Sequence, residues 1–136
     1  MSSTLADRAR QIVLESDLVR KVALAKEAAQ LWHRRTLSLV RRSSPERMPD
    51  QPGRPPELQL LPPREMPRRS LGGDKGRVAH LHALTHIELS AVDMTWDLVG
   101  RFCAAPVPLA FFDDWVRVGV EEAKHFELLA DRLIGL

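Results

Sequence analysis

Residues 120–126 read Val-Glu-Glu-Ala-Lys-His-Phe, within a long segment that contains no proline. Helical residues three apart lie on one face, so Glu122 and His125 can bind a single metal ion between them. Their neighbours on that face are apolar, namely Trp115, Val118 and Leu129. We therefore predict that this face is buried and that its two polar side chains have a specific partner.

A further carboxylate, Glu88, lies in the preceding segment within an apolar stripe. The stripe comprises Leu81, Leu84, Ala91, Val92, Thr95 and Val99. An unpaired ionised carboxylate in an apolar interior is costly and must be protonated, paired with a cation or bound to a metal. Taken alone, Glu88 would more often be an exposed residue and His125 a hydrogen-bonded core histidine. Their joint pattern, with Glu122 on the adjacent helix, predicts a metal site.

Both site segments are predicted to be long helices, over about residues 75–102 and 109–134. Pro106 and Pro108 end the first helix and set up a turn. Two long helices joined by a short loop form an antiparallel hairpin, the repeat unit of a four-helix bundle. The predicted fold class is therefore all-α.

The N-terminal region predicts two more helices. The first covers residues 3–14, and Ser16-Asp17 offers an N-cap for the second. The apolar stripe of the second helix should pack on another helix. It consists of Leu18, Val22, Ala25, Ala29 and Trp32. The predicted solvent face of this helix holds Lys21, Lys26, Glu27 and Arg34.

Residues 43–73 contain eight of the ten prolines, which excludes a regular helix or a central strand. We interpret them as an extended arm with polyproline character, and Leu58, Leu60 and Leu61 predict that it lies against the body. A proline-rich recognition ligand is the functional alternative. The predicted organisation is N-terminal helices at 1–42, the arm at 43–73 and the helical hairpin at 74–136.

Length and composition predict one soluble domain, with 136 residues, 44% hydrophobic and 28% charged. Residues 1–77 hold 16 Lys and Arg against 9 Asp and Glu, or +7, and residues 78–136 hold 4 against 9, or −5. The basic half could attract nucleic acid such as transfer RNA. Arg41-Arg42 and Arg68-Arg69 have no interleaved aromatic residues, which favours a solvated or intramolecular role.

The single cysteine, Cys103, excludes an internal disulfide and fits a reducing compartment, and we interpret it as a small buried residue rather than a nucleophile. Neither a signal peptide nor an apolar run of membrane-spanning length is present. A cytoplasmic location is therefore predicted. The arginine-bearing N-terminus leaves a mitochondrial presequence as the alternative, against which Asp7 and Glu15 argue.

The order Glu88, then Glu122-x-x-His125, resembles the first half of the di-iron carboxylate motif of the ferritin-like superfamily. More narrowly, nearly the whole chain resembles an uncharacterised family of ferritin-like proteins. The runs that carry this resemblance are Arg54-Pro55-Pro56-Glu57 and residues 62–69, 81–97 and 112–133. The resemblance implies a partial ferritin-like helical bundle with a di-iron or di-manganese site. It also implies a fold related to that of a di-iron hydroxylase that modifies transfer RNA, without implying a known reaction. Our first functional hypothesis is that the intact family member is an oxygen-dependent oxidoreductase.

A complete site in that superfamily uses a second Glu and a second Glu-x-x-His, whereas this chain stops at Leu136. The sequence therefore predicts a truncated family member with half of the ligand set, for which three outcomes are open. Two chains can pair as a homodimer and complete one site. Three ligands can instead hold one metal, with water at the open positions. In the third outcome no metal binds, and the hairpin is an interaction or dimerisation module.

His82 and His86, four residues apart, could also bind a transition metal by themselves. They lie largely on the face away from Glu88. We therefore interpret His86 as packing against the arm or as supporting the site from behind. Transfer-RNA binding through the basic first half is the third functional hypothesis.

Overall fold

The structure is a computed structural model and describes residues 3–40, 47–55 and 73–134. These residues form four helices, α1 (Leu5–Leu14), α2 (Leu18–His33), α3 (Gly73–Phe102) and α4 (Leu109–Ile134). Over the described ranges, the only strand-like pairing is an isolated bridge between Thr4 and Ser38. The all-α prediction is confirmed. None of the four described helices combines the length and apolar character that crossing a bilayer requires.

Both N-terminal helices begin at side chains that satisfy free backbone N–H groups. Thr4 and Asp7 form a capping box, in which the Asp7 amide donates to Thr4 Oγ1 at 3.0 Å and the Thr4 amide donates to Asp7 Oδ2 at 3.1 Å. Asp17 caps α2 by accepting from the amides of Val19 and Arg20. The predicted Ser16-Asp17 start is therefore confirmed, with Asp17 as the cap.

The helices enclose one core in a closed ring of contacts. Helix α3 packs on α4 and α1, α4 also packs on α2, and α1 packs on α2. The turn at Pro106 and Pro108 makes α3 and α4 an antiparallel pair, as predicted. The largest fully buried apolar side chains are Trp96, Phe112, Leu5, Ile12, Val92, Val99 and Val116.

The buried face of α4 differs from the prediction by about one position. Its buried residues are Phe112, Val116, Gly119, Ala123 and Phe126. Of the face predicted to be buried, Val118 and His125 are exposed, while Glu122 is half-buried. Helix α4 has apolar residues on two faces. The face that contacts both α2 and α3 is the one that enters the core. The predicted set lies at the α3 edge and faces outward.

Lys21, predicted to face solvent, is instead buried with 1% of its side chain exposed. Its Nζ donates to Asp93 Oδ1 at 2.6 Å and to the carbonyl oxygens of Val13 and Gly53. Arg54 Nη2 lies 2.8 Å from the other Asp93 oxygen. Helical periodicity could not reveal this lysine as a core residue, because its oxygen partners come from three distant parts of the chain.

Residues 47–55, the described part of the predicted arm, lie against α1 and α3. Met48 is buried beside Gly100. The Gly53 amide donates to the Val13 carbonyl at 2.7 Å, and a Cβ at Gly53 would overlap the Leu14 carbonyl. The remaining predictions for this region fall on Leu58, Leu60, Leu61 and the pairs Arg41-Arg42 and Arg68-Arg69, which lie outside the described residues.

Candidate metal centre

The structure places the three predicted ligands together where α3 and α4 meet. Glu88 comes from α3, and Glu122 and His125 come from consecutive turns of α4. One ligand atom from each side chain lies within 4.8 Å of the other two. His125 Nδ1 is 3.9 Å from Glu88 Oε2 and 3.8 Å from Glu122 Oε2. These separations allow one cation to contact all three groups after small side-chain adjustments.

Buried neighbours in sequence hold the ligands at this seam. Leu89 follows Glu88 and is buried, and Phe126 follows His125 and is also buried. Each anchor fixes its helix in the core while the preceding residue projects at the edge. The two glutamate side chains are 25% exposed and that of His125 is 53% exposed. The cluster therefore has a sheltered carboxylate side and a side that opens to solvent at His125.

Glu88 carries the clearest electrostatic signature of the cluster. Its pKa is raised from 4.5 to about 7, chiefly because its neutral form can share a hydrogen bond with Glu122. Burial and the negative charge of Glu122 add to the shift, and His125 opposes it. Two carboxyl groups this close cannot both ionise cheaply without a nearby positive charge.

The arrangement fits a divalent metal ion. When Glu88 is ionised, its buried Oε2 accepts no hydrogen bond from the described residues. An unsatisfied buried acceptor is costly, and a bound cation would satisfy it. Two carboxylates with one imidazole form a donor set that suits iron or manganese. Glu88, Glu122 and His125 are the residues that would hold the ion.

The raised pKa of Glu88 predicts how pH affects the metal-free protein. Between about pH 4.5 and 7 the folded state binds a proton at Glu88 more tightly than the unfolded state does, so its stability falls as pH rises through this window. Glu88→Gln removes the titrating group and should flatten this dependence. The measurement is thermal unfolding in a chelator from pH 4 to 8.

The control for this pH series is Asp131→Asn, which changes an exposed carboxylate on α4 outside the cluster. It should retain the wild-type pH dependence. An identical slope in wild type and Glu88→Gln would contradict the interpretation of the cluster.

His82 and His86 do not join this cluster. Their ring centroids are 4.9 Å apart. The two residues line an apolar cavity of about 310 Å³ with Leu89, Phe126 and the C-terminal end of α4. Among the described residues, the group of three potential ligands includes neither histidine.

Cys103 is a buried structural residue, as predicted. Its thiol donates to the Val99 carbonyl at 3.2 Å, and burial raises its pKa to about 12. A thiol that remains protonated at neutral pH is a poor nucleophile.

Sequence reasoning missed the buried cluster of Lys21, Asp93 and Arg54, which fixes α2 and residues 47–55 to α3. The family resemblance could have drawn attention to two residues of this cluster. Arg54 and Asp93 both fall within the runs that carry the family resemblance, although neither belongs to the metal motif.

Comparison with known proteins gives a family and one curated relative. An uncharacterised protein from Haemophilus influenzae is 38% identical over 84 residues. The aligned region is 58% of this chain and 29% of that protein, so the chain spans less than a third of its relative. No solved structure matches the chain. The family model described as "Protein of unknown function (DUF455)" matches residues 14–136, and because this range covers most of the sequence, the chain belongs to that family.

Proposed function

We propose that this protein binds non-haem iron or manganese through Glu88, Glu122 and His125, and that the intact centre serves oxygen-dependent oxidation. The observation that carries the proposal is the convergence of the three ligand atoms at the buried Glu88 Oε2, which accepts no hydrogen bond from the described residues. The resemblance of the Glu88 and Glu122-x-x-His125 pattern to ferritin-like proteins supports the choice of metal. The helical hairpin that presents these residues is the kind of scaffold on which such sites are built.

Each ligand has a distinct task in this proposal. Glu88 and Glu122 provide negative charge, and Glu88 must release its proton before it can bind a cation through both charge and lone pair. His125 provides an imidazole nitrogen from the open side of the cluster. The glutamate side chains are only 25% exposed, and partial exclusion of water strengthens electrostatic attraction there. When bound, iron or manganese would supply the redox chemistry that amino-acid side chains lack.

The proposal is tested by titrating the metal-free protein with Fe(II) under anaerobic conditions and measuring bound metal by mass spectrometry. Wild type should bind with defined stoichiometry. Glu122→Gln keeps the side-chain shape but removes one charged ligand, and it should weaken binding by about a hundredfold or more, as expected for losing one of three ligands. Asp131→Asn is the control and should bind as wild type does.

An unchanged stoichiometry and affinity in Glu122→Gln would remove the proposed site. If the metal binds as expected, oxygen consumption after air is admitted tests the second part of the proposal. It should be faster in wild type than in Glu122→Gln at equal total iron. Equal rates would show that the oxidation occurs in solution and not at this centre.

A further inference from the structure

Helix α4 presents a second stripe on the side that faces away from the core. We call it the outer stripe. It consists of Asp114, Val118, Glu121, His125, Leu128 and Arg132. All six side chains are exposed, and Leu128 is 68% exposed. Their spacing of four and three residues places them on one face of the helix.

The outer stripe is complementary to itself when reversed. Asp114 and Arg132 both lie nine residues from Ala123, about 13 Å along the axis, and they carry opposite charges. Val118 and Leu128 both lie five residues from Ala123 and are both apolar. If a second copy of α4 packs antiparallel on the first, Asp114 of each copy would lie opposite Arg132 of the other copy at both ends of the contact. One turn closer to Ala123, Val118 of each copy would lie opposite Leu128 of the other.

The inner pair of the outer stripe involves the metal cluster. Glu121 and His125 both lie two residues from Ala123, so each His125 would meet a glutamate of the second copy. His125 also belongs to the proposed metal centre, and its 53% exposure puts the open side of that centre on this same surface. The two-fold axis would thus pass within about one helical turn of both clusters.

Helix α3 has an apolar strip of its own, which includes Ile87, the residue before Glu88. The strip consists of Leu84, Ile87, Ala91, Met94 and Leu98, again at spacings of three and four. Ile87 is 61% exposed and Met94 is 66% exposed. Large exposed apolar side chains at regular spacing are typical of an interface that is buried in an assembly.

We propose that two copies of this chain pair through the outer stripe, with their α4 helices antiparallel about Ala123, and that Glu88, Glu122 and His125 of both copies enclose one shared metal centre. Three ligands from one chain leave most positions around a metal ion open, and a two-fold axis supplies a second identical set. The shared centre rests on the proposed metal binding, whereas the helix pairing rests on the outer stripe alone.

Sedimentation equilibrium of the full chain in a chelator tests the pairing. Asp114→Arg and Arg132→Asp each place like charges together at both ends of the interface, because symmetry repeats the contact. Each should weaken dimerisation by about tenfold or more. The double variant Asp114→Arg with Arg132→Asp exchanges the two charges and should recover most of the wild-type affinity. Arg20→Glu on α2, away from this surface, is the control.

Recovery in the double variant is specific to the antiparallel register and would not follow from a fold defect. A wild-type chain that stays monomeric at about 100 μM overturns the pairing, since it would require a dissociation constant far above the range of stable dimers. If neither Asp114→Arg nor Arg132→Asp changes the dimer affinity, the antiparallel register is wrong and the proposal fails.

The shared centre is tested separately by adding Fe(II) anaerobically to the same samples. Metal should tighten the wild-type dimer at least tenfold, and Asp114→Arg should bind Fe(II) more weakly because it is less dimeric. A monomer that binds Fe(II) with wild-type affinity overturns the shared centre and leaves the proposed function standing. A dimer that binds no Fe(II) overturns the proposed function as well as the shared centre.

Discussion

Replacing Asp93 by alanine is expected to lower the free energy of unfolding by about 3–5 kcal/mol, the usual cost of removing one partner from a buried ion pair. Asp93 accepts from Lys21 Nζ at 2.6 Å and is bound by Arg54 on its other oxygen. Without the carboxylate, two positive charges remain in a region that water scarcely reaches. A loss of this size is a large part of the stability of an ordinary domain.

Urea unfolding followed by circular dichroism measures this loss. The control is Asp97→Ala, one turn further along α3, which removes the exposed ion pair of Asp97 with Arg101 at 2.7 Å. Exposed pairs contribute about 0–1 kcal/mol, so this variant should unfold close to wild type. Equal losses in the two variants would mean that the Lys21 cluster is not buried as described.

The Asp93→Ala variant should also respond to pH in a defined direction. Burial lowers the pKa of Lys21, while Asp93 raises it and partly offsets burial. Removing Asp93 leaves burial less opposed, so Lys21 loses its proton more easily in the folded state than in the unfolded state. The stability deficit should therefore shrink as pH rises from 7 towards 10. A deficit that is constant over this range would point to lost packing instead of unpaired charge.

Replacing Gly119 by valine is expected to lower the free energy of unfolding by about 3 kcal/mol, at the upper end of the usual range for overpacking a core. A Cβ at Gly119 would lie 2.8 Å from Trp96 Cε2 and 2.9 Å from Trp96 Nε1. The indole is fully buried, and protein interiors are close-packed. The added side chain must therefore push α4 away from α3.

The comparison of Gly119→Ala with Gly100→Ala isolates this cause. Both glycines lie within helices, so alanine gains about 1 kcal/mol of helix propensity at each position. At Gly100 the new Cβ would meet the flexible side chain of Met48, which can move aside at small cost. Gly100→Ala should thus be clearly more stable than Gly119→Ala in urea unfolding. The reverse order would show that Trp96 does not limit the approach of α4.

Gly119 lies one turn before Glu122, so the same shift of α4 should disturb the proposed metal centre. Fe(II) binding should weaken in Gly119→Val even under conditions where the variant remains folded. Retained affinity in the folded variant would separate the packing of Trp96 from the positioning of Glu122.

Much of the helical architecture follows from local features of the sequence. Asp17 marks the start of α2, and Pro106 and Pro108 mark the turn between the long helices, because caps and prolines act on the backbone within a few residues. The apolar periodicity of α3 and α4 likewise predicts a hairpin. Glu122 and His125 could be paired from sequence because a helix places residues three apart on one face.

Other decisions required the tertiary structure, because they depend on contacts between residues far apart in the chain. Lys21 looked like a solvent-facing residue until the fold brought Asp93 and two backbone carbonyls to its ammonium group. The face of α4 that enters the core was decided by α2 and α3 together, since both available faces contain apolar residues.

The sequence by itself determined that this protein is helical, and it predicted that Glu88, Glu122 and His125 belong to one metal site. Both inferences rest on local properties, namely spacing along a helix and the cost of burying a charge. Only the tertiary structure decided that the three side chains meet and that His125 opens onto an exposed self-complementary surface. Those features depend on how α3 and α4 are rotated against each other. The contact between Gly119 and Trp96 limits how α4 approaches α3, and the pairing of Lys21 with Asp93 constrains the rotation of α3. Both contacts join residues far apart in the chain, so the periodicity of a single helix does not predict them.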